Sequence, residues 1–141
     1  MSNPTVEVAS LIMKDGCVLI GRSKNGQWEI PTTAIKPFEE LKVAAIRGVF
    51  ELSGVTSDPQ NVIFVSEVLS EKLNIHRVII YAYSMYVEGD LKPSVDWEEA
   101  DWYGIRELGD IQDAMSSETA DAFFKFSQVL RQGAARAGVQ A

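Results

Sequence analysis

The sequence predicts an α+β fold, a mixed β-sheet with helices against its faces, and three observations predict it. Runs rich in β-branched and aromatic residues recur between turn signals along the first 105 positions. Two stretches with helical spacing interrupt and close that series, at residues 31–55 and 117–136. One run, 75–87, is apolar at both odd and even positions, so its strand belongs inside a sheet that is covered on both sides.

Residues 6–14 and 17–22 are two β-branched-rich runs joined by Asp15-Gly16, a two-residue hairpin signal. Cys17, followed by Val18, Leu19 and Ile20, reads as a small buried hydrophobe. Asn25-Gly26 marks a polar turn, and Trp28 to Ile30 forms a short strand after it. Residues 31–55 then read as a loop and a helix. Pro37 sits where a first turn begins, Glu39 and Glu40 favour the positive end of the dipole, and Gly54 stops the helix. Leu41, Ala44, Ala45, Ile46, Val49, Phe50 and Leu52 cover more than one helix face, which predicts a largely buried helix. The charges it retains, Glu39, Arg47 and Glu51, therefore need a reason.

Residues 56–60, with Asp58-Pro59, read as a loop. Two long strands follow at 61–69 and 75–87, around a polar turn. His76, at the start of the second, reads as a strand-end residue with a satisfied hydrogen bond. Residues 91–100 form a loop rich in acid, with Asp96, Glu98 and Glu99, and 102–105 form the last strand. After a short helix, Ser116 or Ser117 caps the closing helix, whose stripe of Phe123, Phe126 and Leu130 is core or dimer packing. Residues 1–4 and 133–141 are expected to be flexible, and the whole of 1–141 to form one domain.

The net charge of −7 comes from 13 basic and 20 acidic residues, and the basic ones are scattered. Nucleic acid is therefore not an expected partner, because polyanion binding rests on clustered phosphate-neutralising side chains. No run approaches the ~18 apolar residues of a membrane span, and the lone cysteine suits a reducing compartment. No membrane partner and a cytoplasmic location are the expectations.

The stretch from Thr33 to Val55 resembles the Nudix box, G-x5-E-x7-R-E-U-x-E-E-x-G-U with U aliphatic, and aligns with it without a gap. Glu39, Arg47, Val49, Glu51, Gly54 and Val55 match. Thr33 stands for the first Gly, Gly48 for the Glu after the Arg, and Leu52 for the second Glu of the pair. Trp28-Glu29-Ile30-Pro31 is similar to the family's lead-in, while Thr32 and Phe38 stand where many members carry Gly. The resemblance implies a three-layer α/β/α sandwich related to MutT-like Nudix hydrolases.

The departures fall on the chemistry. In the family, three carboxylates at i, i+3 and i+4 share one helix face and hold divalent cations. Here that face reads Gly48, Glu51, Leu52, and a hard cation such as Mg²⁺ gains nothing from leucine. Gly48 also costs about 1 kcal/mol of helix propensity relative to Ala. Two explanations stand side by side: drift after catalysis was lost, or close approach of a ligand or another segment.

Two functions follow from the resemblance. One is a hydrolase of nucleoside diphosphate-linked substrates, using Mg²⁺ or Mn²⁺ held by Glu39, Glu51 and Asp96 or Glu98, with Arg47 orienting the box carboxylates. The other, which the missing carboxylates favour, is a non-catalytic or very weakly active module for a nucleotide-like small ligand, with no cofactor. Arg22, Lys24, Trp28 and Arg77 are candidate substrate-binding residues, although Arg22 and Lys24 also read as solvated loop charges. A homodimer is possible. The Thr32-Thr33 loop is expected to take a path without positive φ, since β-branched residues disfavour it.

Overall fold

A computed structural model describes residues 4–136, with side chains through Val129. Its strands are β1 (Thr5–Lys14), β2 (Cys17–Ser23), β3 (Trp28–Glu29), β4 (Thr32–Ala34), β5 (Thr56–Ser70), β6 (Ile75–Glu88) and β7 (Trp97–Gly104). Helix α1 spans Leu41–Ser53, a 3₁₀ helix Ile105–Ala114, and α2 Ser117–Arg136. The strands form one sheet in which β1 and β6 run parallel, from Thr5↔Arg77 to Met13↔Met85, while every other pairing is antiparallel. The mixed α+β fold is therefore as the sequence predicts.

Alternation along β1 divides the interior. Ala9 and Leu11 pack with Ile79, Tyr81, Ala122 and Phe126 beneath α2. Val8 packs with Ala44, Ala45 and Ala82 beneath α1, and Ile12 with Leu19, Val49, Val55 and Trp97. Helices thus lie on both faces, and β6, between β1 and β5, is interior as its sequence requires. The β1–β2 hairpin turns through Asp15 and Gly16 with φ of 51° and 79°, the geometry that the Asp-Gly pair selects.

Several predicted boundaries are corrected. α1 begins at Leu41, not near Pro37, because Phe38 sits at φ 61° and a left-handed residue interrupts a helix. Gly54 closes the helix at φ 81° as expected. The helix is less buried than its composition suggests: Ala44, Ala45, Gly48, Val49 and Ser53 face the sheet, while Val43 and Phe50 are exposed. Residues 56–60 belong to β5 rather than to a loop, with register irregularities at Thr56/Ser57 and Pro59/Asn61 accommodating the proline. β7 starts at Trp97 rather than Trp102, so Glu98 and Glu99 lie on a strand beside Arg22 and Ser23 of β2. Cys17 is only half-buried.

α2 is tied to β3 at its start. Ser116 Oγ accepts a hydrogen bond from Thr119 N at 3.2 Å, the Ser116 amide donates to Trp28 O, and the Ile30 amide donates to Thr119 Oγ1. Phe126 is buried and Phe123 half-buried, as core packing requires, and Phe124 is exposed. The Leu130 side chain, residues 1–3 and residues 137–141 lie outside the described residues, and residues 133–136 continue the helix.

Candidate functional site

Everything around the box is organised by Arg47. Its Nε and Nη2 donate to the two Glu39 oxygens at 2.8 and 2.9 Å, a bidentate pair, and Nη2 also donates to Ala34 O at 2.9 Å. Nη1 reaches Thr33 Oγ1 at 3.4 Å and Glu51 Oε2 at 3.3 Å. The guanidinium thus ties the loop to the helix, and the side chains of Arg47 and Glu39 are only 20% and 12% exposed.

The Glu39 carboxylate is held well down, to about 2, mainly by the hydrogen bonds from Arg47, helped by the Lys36 amide. A depressed carboxylate stabilises the fold above its ordinary value near 4.5, and that contribution is lost as pH falls through about 2. Acid titration of wild type and Glu39→Gln by circular dichroism is therefore expected to give a shallower decline in that window for the variant. Identical profiles would show that the pair contributes nothing to stability.

The loop explains the glycine. Thr32 to Ala34 form β4 against Glu7 to Ala9 of β1, and neither threonine has positive φ, as expected. That path lays the Thr33 side chain on the helix. A Cβ added to Gly48 would meet Thr33 Cγ2 in hard overlap and lie 2.6 Å from Thr33 Cβ. Of the two explanations for Gly48, close approach by another segment is the one with a visible cause. Relative to the family pattern, bulk has moved from the helix to the loop.

Leu52 is half-buried against the cluster of Ile12, Leu19, Val49, Val55 and Trp97. Trp97 is fully buried, and its indole lies on Gly21, where any Cβ would fall inside the ring. Its Nε1 donates to Glu29 Oε1 at 2.9 Å. Burial pushes the Glu29 carboxyl up, the indole bond opposes this, and Glu118 adds repulsion. Sequence reasoning missed Trp97 and Gly21 as a unit and quoted Glu29 only as part of the lead-in. The available signal was a tryptophan set in an acid run beside a strand glycine.

The candidate ligands are split: Glu39 and Glu51 both contact Arg47, whereas Asp96 and Glu98 lie at the start of β7. Glu39 is engaged by Arg47; Glu51 is 58% exposed with one longer contact to Arg47; Asp96 is exposed beside Trp97. Glu98 lies 3.5 Å from Arg22, whose Nη2 donates to Glu99 at 2.7 Å. Among the described residues, no group of three or more His, Cys, Asp or Glu side chains is placed to hold a metal ion. Glu39 and Glu98 are thus engaged by arginines, which compete with any divalent cation for their oxygens.

Of the substrate-binding candidates, Arg22 and Trp28 pair across β2 and β3, while Arg77 lies on β6. Trp28 is buried with Val18, Ile20, Leu108 and Met115 and stacks edge-on to Tyr103. Arg77 is clamped by Glu7 at 2.6 and 2.9 Å and by Glu118 at 2.6 Å, joining β6 to β1 and α2. Lys24 is exposed in its turn, and Arg22 is bound to β7. His76 is exposed, 3.5 Å from Glu67.

Comparison with known proteins accords with this fold. No curated protein matches. A NUDIX hydrolase from Nitrosomonas europaea superposes with a TM-score of 0.78 at 19% identity, covering 89% of this chain and 90% of that one. A MutT protein from Methanosarcina mazei Go1 does so at 0.73 and 25% identity, covering 94% and 98%. A UDP-X diphosphatase superposes at 0.77 and 13% identity, covering 94% of this chain and 66% of its own. The sequence itself matches the family described as NUDIX domain over residues 1–134, so the chain, with its β4 loop, Arg47-centred helix and mixed sheet, belongs to the NUDIX family.

Proposed function

We propose that this NUDIX-family chain binds a nucleotide-like small molecule without efficient hydrolysis. The observation that carries the reading is the packing of the box helix. Gly48 is covered by Thr33 and Leu52 joins the Trp97 cluster, so two of the three positions that would present carboxylates are occupied by packing. The family supplies the ligand class: relatives act on nucleoside diphosphate-linked compounds, and one structural neighbour is a UDP-X diphosphatase.

One observation favours the alternative, a Mg²⁺- or Mn²⁺-dependent hydrolase with a rebuilt site. The Glu39–Arg47 pair is intact, and Glu51 remains exposed beside it. Calorimetric titration of Mg²⁺ and Mn²⁺, with and without a panel of NDP-sugars, ADP-ribose, dinucleoside polyphosphates and NTPs, separates the two. Heat from a nucleotide without metal is the expected result. Turnover with kcat/KM in the ordinary enzymatic range of about 10⁴–10⁸ M⁻¹s⁻¹ would replace the first reading by the second.

A further inference from the structure

A nucleotide-like ligand is anionic, and in a chain of net charge −7 its binding calls for a cation that no carboxylate already holds. Arg22, Arg47 and Arg77 are all ion-paired, as are Lys42 and Lys125. Among the described residues, the Lys and Arg side chains outside any ion pair are exposed ones on turns, loops and the 3₁₀ helix, with one exception. Lys14 ends β1 half-buried, and its ammonium lies 4.3 Å from the Tyr86 ring centre and 5.4 Å from a Trp102 ring centre. The two rings meet edge to face at 5.6 Å. Strand alternation places all three groups on the α1 side of the sheet: Lys14 lies two residues past Ile12, Tyr86 two past Ser84, the partner of Ile12, and Trp102 pairs with Leu19. Ile12 and Leu19 belong to the cluster against which Leu52, Tyr86 and Trp102 also pack, so Lys14 stands at the margin of the cluster that takes in the box leucine. Tyr86 is pinned there. Its hydroxyl donates to Gly89 O at 2.8 Å, and Gly89, at φ 108°, lies so close to the end of α1 that a Cβ would be 2.7 Å from Gly54 O.

We infer that Lys14, seated on Tyr86 and Trp102, is the cation that binds a phosphate group of this chain's ligand, a role that rests on the nucleotide-binding reading above. The rings attract the ammonium through their negative faces and hold a long side chain in one place, so much of its ordering is complete before a ligand arrives. Being neutral, they leave its charge uncancelled, whereas a carboxylate in their place would cancel it. A phosphate oxygen that approaches on the side away from the rings therefore meets an ordered donor with its full charge. Leu52 supplies the complementary change. At a box position where the family carries a carboxylate, an aliphatic side chain packs into the adjoining cluster, and the repulsion that such a carboxylate would exert on a phosphate bound without metal is gone. Phosphate of a nucleoside diphosphate and of free pyrophosphate offers Lys14 the same chemistry.

Calorimetry of the full chain in chelator, with ADP, inorganic pyrophosphate and adenosine as probes, tests the assignment. ADP is expected to bind and adenosine not to, and binding of pyrophosphate as well would show that free phosphate is accepted alongside the nucleotide. Lys14→Met keeps an apolar side chain and removes the charge, so it is expected to weaken every phosphate probe that binds wild type by about tenfold or more. Lys14→Arg, which can also lie over the rings, should restore most of that loss, and Lys72→Met, on the exposed β5–β6 turn, should change nothing. A second readout needs no variant at Lys14: the Trp102 indole N–H resonance of wild type is expected to shift as ADP is added, while that of Trp28, on the opposite face, stays in place. ADP binding that is undiminished in Lys14→Met, or that leaves the Trp102 resonance unmoved, overturns the inference and leaves the nucleotide reading standing. Silence from both ADP and pyrophosphate in chelator overturns the nucleotide reading and this inference with it.

Discussion

Gly48→Glu, the single change that moves the box helix closest to its family pattern, is expected to destabilise this protein. Helix propensity alone argues the other way, since replacing an interior glycine by glutamate gains about 0.5–1 kcal/mol. Packing decides the sign. The new Cβ would lie 2.6 Å from Thr33 Cβ, and Thr33 is held by β4 pairing and by contact with Arg47. Overpacking of this kind costs about 1–3 kcal/mol, and separation of β4 from Arg47 adds to it. Thr33→Gly should recover most of the loss, giving a favourable coupling of about 1–3 kcal/mol in a double-mutant cycle. A rise in melting temperature for Gly48→Glu alone would show that the loop yields freely and that Gly48 has no packing role. Restoring three carboxylates therefore takes Thr33→Gly, Gly48→Glu and Leu52→Glu together. Only the triple variant is expected to gain melting temperature from Mg²⁺ or Mn²⁺, through an ion bound by the folded state alone.

Trp97→Ala should have the largest effect of any single change near the site, a loss of about 3–5 kcal/mol read by urea unfolding. The indole is fully buried between Gly21 and the cluster beneath α1, so truncation removes its contacts and opens a cavity there. Trp97→Phe separates volume from hydrogen bonding. It leaves Glu29 half-buried without the indole N–H that lowers its pKa, so that carboxyl rises further. A carboxyl raised in the folded state favours folding below its unfolded pKa, and that advantage fades as pH rises through the folded value. The stability gap between Trp97→Phe and wild type is therefore expected to be wider at neutral pH than in mild acid. A gap that is constant with pH would assign the whole effect to packing.

The fold was legible because its signals are local and redundant. Asp15-Gly16 determines the hairpin turn, two-sided apolarity places β6 inside the sheet, and Ser116 caps α2. The Glu39–Arg47–Glu51 spacing is equally local, and its ion pairs form where the sequence puts them. Less legible was the start of α1. Pro37 and the acidic residues after it imitate a first turn, whereas the left-handed Phe38, set by the loop that must reach β1, delays the helix to Leu41. Proline likewise concealed the first residues of β5, because an edge strand tolerates a residue that an interior strand excludes.

The site divides along the same line. By itself the sequence determined that two helix carboxylates are missing and that the scaffold around them is retained, since a residue's chemistry is fixed wherever the chain carries it. What fills their places, and where the remaining acids go, only the tertiary structure decided. Thr33 and Gly48 are fifteen positions apart, and their exchange of bulk exists only because β4 pairs with β1 and presses the loop on α1. Glu98 meets Arg22, and Glu29 meets Trp97, across a strand register that no local pattern encodes. Contacts between distant segments are set by how the sheet and helices stack, and that stacking pairs Glu39 with Arg47 and Glu98 with Arg22 while it leaves Glu51 and Asp96 exposed.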